Sequence, residues 1–249
     1  MEGLNLPTMN LALDIGNTAV KAAFFKDGEI FHFKRMSLDD SIKTLSLMIA
    51  ESPVKQVVIS DVTGNATDLI DWLEMQTKVL VVDFETKKPI QSEYKSKTLG
   101  SDRIALACGA WNESNEHASL VLSLGTCLTA DWINSAGVYL GGSISPGVRM
   151  RFNSLHNFTG KLPLLEPEES WQLMGSTTHD SIMSGVMNGI LLEMNGIIDQ
   201  FNASNPNGKV FLTGGDANWF VDDLKNPIFA DNFLLLKGLN QILEYQNKL

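Results

Sequence analysis

Two stretches of this chain follow one pattern. "LALDIGNTAVKAA" (11–23) and "LVLSLGTCLTADW" (120–132) each consist of an apolar strand, a glycine turn and a second apolar strand. A chain of 249 residues is long enough to give each copy its own half and its own hydrophobic core. The repeat predicts a duplicated α/β fold, divided into halves 9–118 and 119–249, with a cleft between the copies.

Hydrophobic periodicity and turn residues predict the elements of the first half. A three-stranded antiparallel meander turns at Asp27-Gly28 and is followed by a helix over 41–51. "VKQVVISDV" is then a strand, "NATDLIDWLEM" a helix capped by Asn65 or Thr67, and "KVLVVDF" a buried strand. The first half is therefore predicted to be rich in strands, with helices as crossovers.

The second half repeats this order from Ser119. Three strands, "SLVLSLG", "CLTADWIN" and "GVYLGGSIS", precede a helix predicted over 181–201. A strand in "GKVFLTGG" and a C-terminal helix over 232–247 follow. The recurrence of the order supports a duplication of the whole half.

Composition excludes several classes of function. A net charge of −10 and a pI near 4.8 disfavour nucleic acid as a partner, since no basic patch offsets the overall negative field. The two cysteines lack the spacing of metal ligands and the density of a disulfide scaffold. The chain shows neither a basic, then apolar leader nor an uninterrupted apolar run of roughly 18 residues. We expect a cytoplasmic protein that binds neither nucleic acid nor membrane.

The first glycine turn has the features of a phosphate-binding tip. In "DIGNT", Gly16 lets backbone amides approach an anion, and Asn17 and Thr18 add hydrogen-bonding side chains. Asp14 ends the preceding strand and is suited to orienting Mg²⁺ through water. A hairpin with ordinary turn residues would carry the same letters, so this motif alone leaves both interpretations open.

Two further strands end in glycine turns, at Gly125-Thr126 and at Gly214-Gly215. Neither the GxxxxGK[ST] nor the GxGxxG pattern occurs. The three turns in this order resemble the two phosphate segments and the adenosine segment of the superfamily of acetate and sugar kinases, heat-shock ATPases and actin. That resemblance implies a duplicated ribonuclease H-like fold with the active site in the cleft between two similar halves.

The segment "TLGSDRIALACGAW" (98–111) places Gly-x-Asp-Arg at the start of a predicted helix. A helix N-terminus with an arginine beside it favours an anionic group, and Asp102 there could accept a proton from a hydroxyl. The alternative is that Asp102 is a helix cap and that Arg103 is its ion-paired neighbour.

Taken together, "DIGNT", "GSDR", "LGT", "GGSISPG" and "LTGGD" resemble the type III pantothenate kinases over nearly the whole chain. The resemblance implies ATP-dependent phosphorylation of the primary hydroxyl of pantothenate, the entry to coenzyme A biosynthesis. The family also resembles accessory factors of a virulence regulator, and its superfamily includes kinases of sugars and carboxylates. A regulatory ATP-binding protein and a kinase of another small substrate are therefore the alternatives.

The resemblance also implies roles for individual residues. The first nucleotide-binding segment comprises Asp14, Ile15, Gly16, Asn17, Thr18, Ala19, Val20 and Lys21. In the second segment, Thr126 contacts the nucleotide. Asp102 is the proton acceptor. The substrate-binding residues are Tyr94, Gly100, Ser101, Asp102, Arg103 and Thr178. The threonine reaches pantothenate from the partner subunit, which implies a homodimer.

Two positions depart from the family pattern. The family places a tyrosine seven residues before the glycine of Gly-x-Asp-Arg, whereas Tyr94 stands six before Gly100. Tyr94 is therefore a shifted match or simply a loop aromatic. Ser123 occupies the position at which the family has an aspartate that binds K⁺ or NH₄⁺, and Asp131 is the next carboxylate along the chain. We accordingly expect weak or absent dependence on a monovalent cation.

Overall fold

The computed structural model describes residues 9–249, which form two compact units. Unit 1 contains the described residues up to Glu113 together with Phe233–Leu249, and unit 2 contains Ser114–Asn232. The strands are β1 (Met9–Ile15), β2 (Val20–Lys26), β3 (Glu29–Met36), β4 (Val54–Asp61), β5 (Lys78–Val81), β6 (Gln91–Ser92), β7 (Ser119–Leu124), β8 (Cys127–Ile133), β9 (Val138–Pro146), β10 (Lys209–Thr213) and β11 (Phe229–Ala230). The helices are α1 (Ser41–Glu51), α2 (Thr67–Glu74), α3 (Ser101–Glu113), α4 (Val148–Asn157), α5 (Thr178–Ser204) and α6 (Leu234–Gln246).

The sheet of unit 1 has the strand order β3-β2-β1-β4-β5. β1, β2 and β3 pair antiparallel, whereas β1, β4 and β5 run parallel to one another. Asp27 and Gly28 both have positive φ, 52° and 86°, as a tight hairpin turn between twisted strands requires. The predicted meander and its turn are confirmed.

The strands of unit 2 repeat this topology. Their order is β9-β8-β7-β10-β11, with β7, β8 and β9 antiparallel and β10 and β11 parallel to β7. Each strand takes the place of its counterpart in unit 1, so that β7 corresponds to β1 and β10 to β4. The sequence repeat is therefore a repeat of topology.

The two faces of the unit 1 sheet have different coverings. Leu11 and Leu13 of β1 and Ile59 of β4 belong to a core that also includes side chains of α1 and α2. Because side chains alternate along a strand, Asn10, Asp14 and Ser60 point to the opposite face. α3 and α6 pack there: α3 contacts β4, α6 contacts β1, and the Asn10 amide donates to Asn240 Oδ1 at 3.0 Å. The second of these faces carries the polar residues considered below.

The core of unit 2 is built around α5. Its buried side chains, among them Met187, Ile190 and Met194, pack with the apolar side chains of β7 and β10. By length and composition alone α5 could cross a membrane, but 44% of that apolar window is buried inside the protein. The apolar face of α5 is thus accounted for by the core.

The C-terminal helix does not belong to the half in which it was predicted. The repeat suggested that 119–249 forms the second half, but α6 belongs to unit 1. The physical reason is packing, since α6 lies along α3 and also contacts β1 and β4. Unit 1 thus contains both the first and the last of the described residues.

Three local predictions were also inaccurate. α2 begins after Ala66, and no side chain among the described residues caps it, so Asn65 and Thr67 are not caps. β5 is partly exposed because it is the edge strand of its sheet. α5 begins at Thr178, earlier than predicted, since the Thr177 hydroxyl accepts a hydrogen bond from Asp180 N at 3.1 Å and starts the helix there.

Candidate functional site

The hairpin tip between β1 and β2 carries the first predicted segment. Gly16 N donates to Ala19 O at 3.2 Å and closes the turn, which leaves the side chains of Asn17 and Thr18 exposed. The flanking Ile15 and Val20 are core residues, so they can meet a ligand only through their backbones. The tip therefore presents backbone amides and two short polar side chains, the groups that suit a phosphate.

Asp14 and Lys21 form an ion pair at the base of this tip. They are register partners in β1 and β2, and Lys21 Nζ donates to Asp14 Oδ2 at 3.2 Å. Burial raises the pKa of the Asp14 carboxyl above its ordinary value, and the charge of Lys21 opposes that rise. Asp14 is only 6% exposed, so its charge is held in a poorly solvated position with one oxygen bound to a lysine.

The first turn of α3 fixes Asp102. Its Oδ1 accepts a hydrogen bond from Arg103 N at 2.8 Å, so the carboxylate binds the start of its own helix. A Cβ at Gly100 would overlap this carboxylate oxygen, so the glycine makes room for the observed side-chain position. Arg103 is 5% exposed, and its guanidinium carbon lies 6.0 Å from the centre of the Tyr94 ring. The shifted Tyr94 thus lies beside Arg103 of the predicted substrate motif.

Unit 1 brings the two predicted functional carboxylates near each other. The negative charge of Asp102 is one of the causes that raise the pKa of Asp14, although burial has the larger effect. Carboxylates whose charges interact in a partly buried place are common at functional sites, because their ionisation is costly without a ligand. Asp14 and Asp102 therefore belong to one candidate site.

In unit 2 the segments "GGSISPG" and "LTGGD" pack against the Gly125-Thr126 tip between β7 and β8. Gly147 N donates to Thr126 O at 3.1 Å, and a Cβ at Gly147 would lie 2.7 Å from that oxygen. Gly214 has φ +103°, and a Cβ there would overlap the backbone of Leu124. Gly147 of "GGSISPG" and Gly214 of "LTGGD" are therefore needed, because the backbone at each lies too close to residues 124–126 to leave room for a side chain.

One ion pair beside this tip was missed from the sequence. Arg149, at the start of α4, donates to Asp216 Oδ1 at 3.2 Å, and Asp216 N donates to Leu124 O at 3.0 Å. Asp216 ends the "LTGGD" motif, but the motif carried no signal for its partner 67 residues away. An ion pair of Arg149 thus lies beside the segment predicted to bind nucleotide, and Glu166 is a second carboxylate near the guanidinium, at 3.7 Å.

Ser123 lies in a neutral row of hydroxyls. It pairs in register with Thr129 of β8 on one side and Thr213 of β10 on the other. Asp131 is fully buried and accepts a hydrogen bond from the Tyr139 hydroxyl at 2.6 Å. Among residues 9–249, no group of three His, Cys, Asp or Glu side chains could hold a metal ion. The family cation position is thus flanked by hydroxyls.

Thr178 is the first residue of α5, exposed at its N-terminus. It lines a cavity of about 640 Å³ between α4 and α5, together with Arg151, Ser181 and several apolar side chains. Arg151 is held in place by Glu193 and by Pro146 O, the latter at 2.8 Å. Thr178 therefore lies on an open face of unit 2 beside a fixed arginine.

Solved structures define the class to which this fold belongs. A Campylobacter jejuni protein described as a Baf family transcriptional activator covers 96% of this chain and 100% of its own, with a TM-score of 0.65 and 21% identity. A glucokinase from an Antarctic psychrotroph covers 95% and 99%, with a TM-score of 0.52 and 11% identity. The protein has the duplicated ribonuclease H-like fold of the actin-like ATPases and sugar kinases.

Sequence comparisons give the particular family. The family model for type III pantothenate kinase matches residues 10–200. The type III pantothenate kinase of Cytophaga hutchinsonii is 44% identical over 95% of this chain and 99% of its own length. That of Phocaeicola vulgatus is 40% identical over 97% and 100%. The chain belongs to the type III pantothenate kinase family.

Proposed function

We propose that this protein is a pantothenate kinase, which transfers the γ-phosphoryl group of ATP to the primary hydroxyl of pantothenate in the first step of coenzyme A biosynthesis. Membership of the family and full-length similarity to enzymes of that name support it. The single observation that carries it is the placement of Asp102, whose carboxylate accepts a hydrogen bond from Arg103 N at the start of α3 and whose charge acts on Asp14.

Phosphoryl transfer has a loose transition state, so the protein mainly positions its substrates and neutralises charge. In this proposal each glycine tip binds the β- or γ-phosphate of ATP through the backbone amides that follow Gly16 and Gly125, because the N–H groups of the two glycines donate to Ala19 O and Cys127 O. Asn17, Thr18 and Thr126 add side-chain hydrogen bonds, and Lys21 adds a positive charge. The exposure of these polar side chains at two glycine tips supports the assignment.

Mg²⁺ fits the donor set of this site. It binds to nucleotide sites through phosphate oxygens, water and only one or two carboxylates, so a three-carboxylate cluster is not needed. Asp14 is a buried carboxylate with Oδ2 bonded to Lys21, which suits an outer role through water. When bound, Mg²⁺ neutralises charge that develops on the transferring phosphoryl group.

Pantothenate would bind at the start of α3. Asp102 orients the hydroxyl and accepts its proton at a carboxylate oxygen as the phosphoryl group transfers. Arg103 pairs with the pantothenate carboxylate, for which its planar guanidinium is suited. Tyr94 stacks near Arg103, and Gly100 and Ser101 shape the turn that contacts the substrate.

The assembly and its setting are part of the proposal. Thr178 contacts pantothenate bound to the partner subunit, which makes the active enzyme a homodimer. Its exposure at the N-terminus of α5 is compatible with such a contact. We further propose that the enzyme acts in the cytoplasm, independently of membrane and nucleic acid, and that it does not need K⁺ or NH₄⁺.

A coupled assay of ADP release tests the proposal. Pantothenate is compared with a panel of sugars and with acetate, each at the same ATP and Mg²⁺ concentrations. Turnover with pantothenate alone is the expected result. Turnover with another member of the panel would indicate a kinase of a different substrate. ATP binding without turnover on any substrate would indicate an accessory protein.

A further inference from the structure

Ser60 and Ser101 form a buried hydrogen bond in unit 1. Their hydroxyl oxygens are 2.9 Å apart, and the two residues are 0% and 7% exposed. Ser101 belongs to the predicted substrate motif, whereas Ser60 lies in β4, outside every segment predicted to bind a ligand. A buried hydroxyl without a partner is costly, so this bond favours one position of β4 relative to the start of α3.

The position of Ser60 connects it to both functional carboxylates. In the parallel pair of β1 and β4, Ser60 is the register partner of Asp14, and both lie on the face that α3 covers. Ser101 is the first residue of α3 and precedes Asp102. Strand pairing therefore links Asp14 to Ser60, a hydrogen bond links Ser60 to Ser101, and Ser101 is followed in the chain by Asp102.

The hydrogen bond between Ser60 and Ser101 matters because of the way in which Asp102 can still move. The carboxylate is bound to its own turn by the hydrogen bond from Arg103 N. Its carboxylate therefore moves mainly when the whole first turn of α3 moves relative to β1 and β4. The hydrogen bond between Ser60 and Ser101 opposes that movement.

We propose that Ser60 is a positioning residue for catalysis, which holds the first turn of α3, and with it Asp102, in place relative to Asp14. This inference rests on the proposed function, because it assigns to that same site a residue outside the known motif. Ser60 reaches the chemistry only through Ser101. Misplacement of a reacting group by about 1 Å can cost on the order of 10²-fold in rate.

Ser60→Ala, Ser101→Ala and the double variant test the proposal. We expect Ser60→Ala to lower kcat by about tenfold or more while the KM for ATP changes by less than about twofold. The double variant should be no slower than the slower single variant, since both changes break one bond. Ser60→Thr, which keeps the hydroxyl, should recover part of kcat.

Ser41→Ala is the matched control in the same unit. Ser41 is 1% exposed and donates from its hydroxyl to Leu38 O at 2.5 Å, so its replacement also removes one buried hydrogen bond. It should lower the melting temperature to a similar extent and leave kcat unchanged. A kcat of Ser60→Ala equal to that of Ser41→Ala would overturn the proposal.

Amide hydrogen exchange provides a measurement that needs no substrate. Ser60→Ala should accelerate exchange at the amides of Arg103 and Ile104, whereas Ser41→Ala should not. Unchanged exchange there would overturn the proposal, whatever the activity. Faster exchange in a protein that does not phosphorylate pantothenate would support the anchoring contact and refute the proposed function, so the two failures are distinguishable.

Discussion

Gly109 of α3 and Gly238 of α6 bring two helix backbones into direct contact. A Cβ added at Gly238 would lie 2.9 Å from Gly109 N and would overlap the carbonyl oxygen of Ala105. A Cβ at Gly109 would lie 3.3 Å from the Cα of Gly238. α6 can approach α3 this closely only because both positions lack a side chain, and this contact attaches the C-terminal helix to unit 1.

Gly238→Ala should therefore destabilise the protein strongly. Overpacking a tight interface costs about 1–3 kcal/mol, and a backbone clash lies at the upper end of that range. Chemical denaturation should show a loss of about 3 kcal/mol in the free energy of unfolding, or the variant should fail to fold. Gly196→Ala is the control, because a Cβ there has nothing within 4 Å. Equal stability of the two variants would contradict this account of the packing.

Asp14→Asn should be more stable than the wild type near neutral pH. Because burial raises the folded-state pKa of Asp14 above its ordinary value of 3.8, the folded state binds that proton more tightly. The resulting stabilisation is fully present below the unfolded pKa and is lost as pH rises through the folded pKa. The advantage of Asp14→Asn should thus be largest at about pH 7 and vanish at about pH 3.

Melting temperatures of the Asp14→Asn variant and the wild type across this range check the prediction. Asp39→Asn, at an exposed position, serves as the control and should change the melting temperature little at any pH. A variant less stable than the wild type at neutral pH would show that the ion pair with Lys21 outweighs the cost of burial. The Asp14→Asn variant should also lose activity, since the carboxylate is assigned to the metal.

Asp102→Asn should fold normally and lose most of its turnover. Its amide oxygen can still accept the hydrogen bond from Arg103 N, but it cannot take the proton of the substrate. Loss of a general base lowers kcat by about 10²- to 10⁴-fold. Steady-state kinetics measure this, and calorimetry should show ATP affinity little changed. Asp68→Asn, also an acid in the first turn of a helix, should retain full activity. Near-normal kcat in Asp102→Asn would remove Asp102 from the mechanism.

Mixed dimers test the contribution of Thr178 from the partner subunit. Asp102→Asn and Thr178→Val chains are co-expressed with different tags, and the dimers that carry both tags are purified. If pantothenate is bound by Asp102 of one chain and Thr178 of the other, each mixed dimer contains one intact site and should show about half the wild-type rate. A rate no higher than the mean of the two parent variants would place both residues in the same chain's site.

Dependence on monovalent cations tests the consequence of Ser123. A serine beside Thr129 and Thr213 provides oxygen atoms without a negative charge, so K⁺ gains little there. Replacing K⁺ by Na⁺ at constant ionic strength should change kcat by less than about twofold. Ser123→Asp should introduce activation by K⁺. Strict activation of the wild type would mean that Asp131 or the partner subunit supplies the missing charge.

Much of the local structure was predictable because its causes are local. Apolar runs bounded by turn residues specify strands of both meanders, and Asp27-Gly28 is a turn that only residues tolerating positive φ form readily. The motifs around Gly16, Gly125 and Asp102 predicted the family, the fold class and the enzymatic function, which the comparisons confirmed. The roles of individual site residues remain predictions for the experiments above.

Other features were beyond the sequence because they depend on residues far apart in the chain. "KVLVVDF" has the composition of a buried strand, but the sheet ends at β5 and leaves it partly exposed. The bond between Ser60 and Ser101 spans 41 residues, and neither side chain signals the other. The repeat placed α6 in the second half, whereas contact with α3 places it in the first.

The duplicated strand pattern, the glycine tips and the motif that begins α3 can be read from the amino-acid sequence, since each follows from backbone preferences and side-chain chemistry within a few residues. The fold is needed to know which helix joins which unit, which strand lies at an edge, and how Asp102 is held relative to Asp14. Burial, close backbone approach and buried hydrogen bonds arise between segments that become neighbours only after folding.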